Sequence, residues 1–127
     1  MTDECIFCAP VSDPIIIENK NAIAIRDRFP VTDGHSLVIP KRHVAAYFDL
    51  SEDEVLSCNR LLVAVRQEIL NNDGTVTGFN LGINIGRDSG QSIPHCHIHL
   101  IPRRLGDVEN PQGGVRHVIV GKGHYKK

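Results

Sequence analysis

The chain has 127 residues, 41% of them hydrophobic and 23% charged, with a formal net charge of -1 at pH 7. That length suits one domain with a real hydrophobic core, and the near balance of charge gives no global field to attract nucleic acid or an anionic membrane. The longest apolar runs, III at 15–17 and LLVAV at 61–65, are far too short to cross a bilayer.

The opening MTDE lacks the basic and apolar regions of a secretory signal, so a cytoplasmic chain with reduced thiols is expected. CIFC, at 5–8, is a Cys-x-x-Cys pair that reads as half a zinc site, a redox dithiol or chance. No strand–helix–strand pattern surrounds it, which weakens the redox reading. IIIE (15–18) and NAIAIRD (21–27) form short strands about a turn, and DRFPVTDGH is a loop carrying Pro30, Asp33 and Gly34. SLVIP (36–40) is a third strand, and HVAAYF reads as one short helical turn.

The clearest element is a helix over about 52–70. Ser51 and Glu54 make a capping box at its start. Leu56, Leu61, Leu62, Val65, Ile69 and Leu70 form an apolar stripe at helical spacing, and NNDG stops it. Cys58 in this helix and Cys96 further on read as small core residues. Two more strands follow, GFNLGINI (78–85) and HIHLIP (97–102), joined by GRDSGQSIP. From about 103 to 127 the chain is a tail with one short strand, VRHVIV (115–120). Strands clustered about one long helix predict an α+β class with a largely antiparallel sheet, as a single domain over 1–127.

HCHIHLI, from 95, places His95, His97 and His99 at alternate positions of a strand, hence on one face, with Cys96, Ile98 and Leu100 on the other. A closed structural zinc takes four ligands. Cys5 and Cys8 supply two, leaving room for two of His35, His43, His95, His97 and His99. Such a metal has no open position for an activated water, so the chemistry belongs to a free histidine. The loop GRDSGQS (86–92) supplies Gly86, Gly90, Gln91, Ser92 and backbone N–H groups, which can cradle a phosphate, although it is no P-loop. An unligated histidine beside it suggests attack at phosphorus through a covalent intermediate.

These motifs, with RDRFPVTDGHSLVIPKRHV (26–44), NIGRDSGQSIPH (84–95) and IPRRLGD (101–107), resemble the histidine triad (HIT) family, and in particular its zinc-containing, dinucleoside polyphosphate hydrolase branch. The resemblance implies a five-stranded, mainly antiparallel sheet with one long and one short helix, paired into a homodimer. It implies nucleotidyl transfer or hydrolysis at an α-phosphate, with His97 as the nucleophile. His99 and His35 would contact phosphate oxygens, and Gln91 and Ser92 the α-phosphate or leaving group. Asn84 and Gly90 would line the same pocket, Asp27 would take the ribose hydroxyls, and Ile6, Phe7 and Ile25 would sandwich a purine base. Cys5, Cys8, His43 and His95 match the ligands of a structural zinc, which leaves His97 free. The substrate expected first is a dinucleoside polyphosphate such as diadenosine tetraphosphate. The alternatives are a nucleoside phosphoramidate or aminoacyl-adenylate, or a zinc-stabilised nucleotide-binding regulatory scaffold with little turnover. Neither a membrane nor a nucleic acid is expected as a partner.

Overall fold

The computed structural model describes residues 5–9 and 11–126; the opening MTDE lies outside them. Five strands, β1 (Ile15–Glu18), β2 (Ala22–Arg26), β3 (Ser36–Pro40), β4 (Val76–Gly82) and β5 (Ile98–Arg104), form one sheet in the order β1-β2-β3-β5-β4. Every neighbouring pair is antiparallel. One long helix, α1 (Glu52–Asn72), lies between β3 and β4 in the chain. The short helical element is a single 3-10 turn at Tyr47–Asp49, and two more such turns occupy Arg87–Ser89 and Gly114–Val118. This is the expected α+β architecture. Among the described residues no helix is long and apolar enough to cross a membrane.

Side chains on a strand alternate faces, and here each face has its own cluster. Ala22, Ala24, Val38, Ile98 and Leu100 pack against Cys58, Leu61, Val65 and Ile69 of α1. Ile23, Ile25, Leu37 and Ile39 point to the opposite face and are covered by Phe7, with Cys5, Val11 and Ile93 around them. Burying each aliphatic side chain of this size contributes about 1.5–3 kcal/mol. Leu56 departs from the expected stripe: it is 49% exposed, and Cys58 takes its place in the core. Burial holds the thiols of Cys58 and Cys96 protonated, pushed up to about 12 and about 11, so both are inert core residues.

The tail differs from its expected form. Residues 114–118 make a 3-10 turn where a strand over 115–120 was expected. Gly113 and Gly114 turn the chain with positive φ. Arg116 Nε donates to Gly123 O and His117 Nε2 to Gln112 O, so the segment closes on itself rather than joining the sheet. Its apolar residues Val115, Val118, Ile119 and Val120 are exposed, without the alternating burial of a strand.

The capping box of α1 is present in both halves: Ser51 Oγ accepts from Glu54 N, and Ser51 N donates to Glu54 Oε1. Arg42 grips the same carboxylate through Nε and Nη2, at 3.0 and 2.7 Å. This guanidinium, with the Ser51 backbone, lowers the Glu54 pKa from its ordinary 4.5 to about 2. A depressed carboxylate stabilises the fold fully above its unfolded value, and that stabilisation is lost as pH falls through the folded one. Glu54→Gln should therefore flatten the decline in stability between pH 4.5 and about 2, measured by urea unfolding at a series of pH values. Parallel wild-type and variant curves across that window would remove Glu54 from the acid response.

Candidate active site

The three alternating histidines occupy the approach to β5 and its second residue. Their hydrogen bonds give each ring a different state. A carbonyl oxygen can only accept, so a ring nitrogen facing one must carry the proton.

His95 is fully buried, and its Nε2–H donates to Pro40 O at 2.7 Å. The lone pair therefore lies on Nδ1. That atom stands 3.5 Å from Cys5 Sγ, 3.7 Å from Cys8 Sγ and 3.2 Å from His43 Nδ1. His43 Nδ1 is in turn 3.2 Å from Cys8 Sγ. The four donor atoms lie within 4.8 Å of one another, a two-thiol, two-imidazole set capable of coordinating a metal. Burial also lowers the His95 pKa, which favours the neutral ring that a metal requires. The carbonyl of Pro40, at the end of β3, holds the other nitrogen of this ring and fixes its orientation.

His97 has the opposite assignment. Its Nδ1–H donates to the carbonyl of His95 at 2.8 Å, leaving Nε2 unprotonated. The ring is 5.0 Å from Phe7 and 5.2 Å from His99 between centroids, and it lines a cavity of about 240 Å³.

The state of His99 is set through His35. The backbone N–H of Val31 donates to His35 Nδ1 at 3.2 Å, so His35 carries its proton on Nε2. That proton is given to His99 Nδ1 at 2.9 Å, which leaves His99 with an N–H at Nε2. His99 thus keeps its one donor at Nε2, on a ring that lines the same cavity as His97. Burial, then the neighbouring rings of His97 and His35, press the His99 pKa down to about 4, so the ring is neutral near pH 7. Burial lowers His35 as well, against the pull of the Asp27 carboxylate 3.5 Å away.

The loop after β4 turns at Gly86 and Gly90, whose φ values of 88° and 98° suit residues without a Cβ. Gln91 ties this loop down. Its Oε1 accepts from Gly86 N at 2.9 Å, and its Nε2 donates to Ala45 O at 2.9 Å and Ile93 O at 3.2 Å.

Of the residues expected at a nucleotide site, Ile6, Phe7, Ile25, Asp27, Asn84, Gly90, Ser92, His97 and His99 line the one cavity. Two expected residues stand elsewhere. His35 is buried behind His99, and the amide of Gln91 is taken up by backbone atoms of Gly86, Ile93 and Ala45. The cavity also includes Asp13, Arg28, Phe29, Leu37 and Ile93, which the sequence reading did not single out. Arg28 and Phe29 directly follow Asp27, a signal that could have found them. Asp13 sits far away in the chain and carries no motif.

With this geometry in hand, the chain was compared with known proteins. The model of the HIT domain matches residues 10–106. A HIT-like protein of Methanocaldococcus jannaschii is 36% identical over 110 residues, covering 83% of this chain and 83% of its own. The asymmetrical bis(5'-nucleosyl)-tetraphosphatase of Schizosaccharomyces pombe is 35% identical over 100 residues, covering 77% of this chain and 53% of its own. Among solved structures, a zinc-bound histidine triad family protein from Mycobacterium smegmatis superposes with a TM-score of 0.67 at 37% identity, covering 84% of this chain and 80% of that one.

Proposed function

The chain belongs to the HIT-domain family, and from that premise we propose that it is a nucleotide hydrolase or nucleotidyl transferase acting at an α-phosphate through a covalent nucleotidyl-His97. The observation that carries the reading is the hydrogen bond from His97 Nδ1 to the His95 carbonyl, which places the lone pair of the neutral ring on Nε2, in a cavity shared with Asp27, Ser92 and His99.

In the first step His97 Nε2 forms a bond to the α-phosphorus while the bond from phosphorus to the leaving oxygen or nitrogen breaks. The positive charge that grows on the ring is shared with the His95 carbonyl through Nδ1–H. The Nε2–H of His99 and the Ser92 hydroxyl offer donors to the non-bridging oxygens. In the second step water attacks phosphorus and releases a proton to solvent, while the P–N bond breaks and its electron pair returns to His97. Splitting one displacement in two is what a histidine nucleophile contributes. His35 acts by holding His99 in its donor state, and Gln91 by holding the loop.

The first substrate reading, a dinucleoside polyphosphate such as diadenosine tetraphosphate, is supported by the likeness to the bis(5'-nucleosyl)-tetraphosphatase of S. pombe. A second reading, a nucleoside phosphoramidate or aminoacyl-adenylate, uses the same nucleophile and the same cavity, with a nitrogen or a carboxylate oxygen as the leaving atom. Cys5, Cys8, His43 and His95 would hold a zinc, whose chemistry is to cross-link the amino-terminal segment to β5. The M. smegmatis relative supports that choice of metal. Pairing into a homodimer, in a cytoplasmic setting that keeps Cys5 and Cys8 reduced, completes the proposal.

The test is rapid mixing with α-phosphate-labelled diadenosine tetraphosphate, quenching and peptide mapping. An acid-labile, base-stable adduct on His97 is the expected product. Bound nucleotide with no adduct and no turnover would leave a regulatory scaffold.

A further inference from the structure

The far wall of the cavity carries a charged pair that the reaction does not use. Arg28 Nε donates to Asp13 Oδ1 at 2.8 Å, and Arg28 Nη2 donates to Ser12 Oγ at 3.2 Å. Both Asp13 and Arg28 line the cavity with Phe7, Ile25 and His97. The Asp13 side chain is only 15% exposed although it stands at a rim, so the loop at 11–14 holds it in place. Among the described residues Asp13 Oδ2 and Arg28 Nη1 have no hydrogen-bond partner.

Apolar side chains such as Ile6, Phe7 and Ile25 cover the flat faces of a ring, but they do nothing for its polar edge. An edge taken from water into such a slot must find partners there or it costs binding. Carboxylates accept only, and guanidinium groups donate only. Their juxtaposition matches an edge with adjacent donors beside an acceptor. Guanine presents that order, with N1–H and the 2-amino group next to O6. Adenine offers one donor beside a lone pair, and the lone pair opposes a carboxylate. Cytosine and uracil likewise present one donor group on that edge rather than two.

We infer that Asp13 and Arg28 are specificity-determining residues that read the base edge of the nucleotide and favour guanine. Asp13 Oδ2 takes N1–H and the 2-amino group, and Arg28 Nη1 gives a hydrogen bond to O6. Ser12 holds the guanidinium in the orientation that leaves Nη1 available. The inference rests on the nucleotide reading of this cavity.

The experiment compares GMP, IMP and AMP by titration calorimetry, with kcat/KM for matched guanosine and adenosine 5'-phosphoramidates, on the intact chain. GMP should bind about tenfold tighter than AMP, with IMP between them, as charge-assisted hydrogen bonds gained by one base alone require. The same ratio should appear in kcat/KM, carried by KM. Asp13→Asn keeps the size of the side chain but replaces one acceptor by a donor, and should erase the ratio. Asp13→Ala should erase it too, which separates lost recognition from a reversed donor. Equal affinity and equal kcat/KM for the two purines, with the His97 adduct still formed, would overturn the base reading and leave the catalytic one standing. Failure to bind or turn over any nucleotide would overturn both.

Discussion

His97→Ala should lower turnover at the α-phosphate by roughly 10⁴-fold or more while nucleotide affinity changes little. The cavity wall without His97 still includes Asp27, Ser92 and His99 together with Phe7 and Ile25, so binding survives where reaction does not. No neighbour can replace the nucleophile. His99 is turned the wrong way, with its Nδ1 lone pair occupied by the His35 proton and its Nε2 already protonated. His95 has its only lone pair among the sulfurs of Cys5 and Cys8. Single-turnover kinetics with calorimetric binding of the product monophosphate separate the two quantities. Rapid turnover retained in His97→Ala would refute the covalent route outright.

The second large effect concerns the cluster of Cys5, Cys8, His43 and His95. If it holds the proposed zinc, a chelator should lower Tm by roughly 10 °C, reversed by added zinc. Metal alone supplies about 10–16 kcal/mol in small domains that cannot fold without it. Here the sheet and α1 have their own core, so the loss falls well short of that. At about 3–5 °C per kcal/mol for a domain of this size, a few kcal/mol gives the stated shift. Activity should fall as well, by about tenfold, because the carbonyl that fixes His97 Nδ1 belongs to a ligand of the cluster. Calorimetric scans before and after chelation, with elemental analysis of protein purified without chelator, make the comparison. A protein that carries no metal, or whose Tm ignores the chelator, would remove the assignment of these four residues.

How much of this was legible in the sequence depended on the range of the interaction. Short apolar runs at 22–26 and 36–40, bounded by turn residues, are a local signal, and the strands formed there because each face found a cover. Ser51 and Glu54 are three residues apart, so the capping box could be read directly. Counting ligands left room beside Cys5 and Cys8 for two of five histidines, and the family resemblance singled out His43 and His95, which the fold brings together with them. Gln91 was less accessible to such reasoning. Its partners are backbone atoms of Gly86, Ala45 and Ile93, and a backbone acceptor leaves no mark on the sequence. His35 and His99 are 64 residues apart, and nothing short of the paired strands shows that one stands behind the other. Asp13 and Arg28 look like ordinary surface charges until the loop before β1 brings them to the cavity. At the tail, apolar content suggested a strand, whereas Gly113, Gly114 and local hydrogen bonds decided the conformation.

The two clusters on opposite faces of the sheet make it a partition wall. Leu61, Val65 and Ile69 touch one side of it, and the reacting rings and the cavity belong to the other. Through the wall only backbone is shared. Repacking the helix side therefore offers a way to raise or lower the lifetime of the folded chain independently of its selectivity, and variation on the ligand side can proceed on an unchanged foundation.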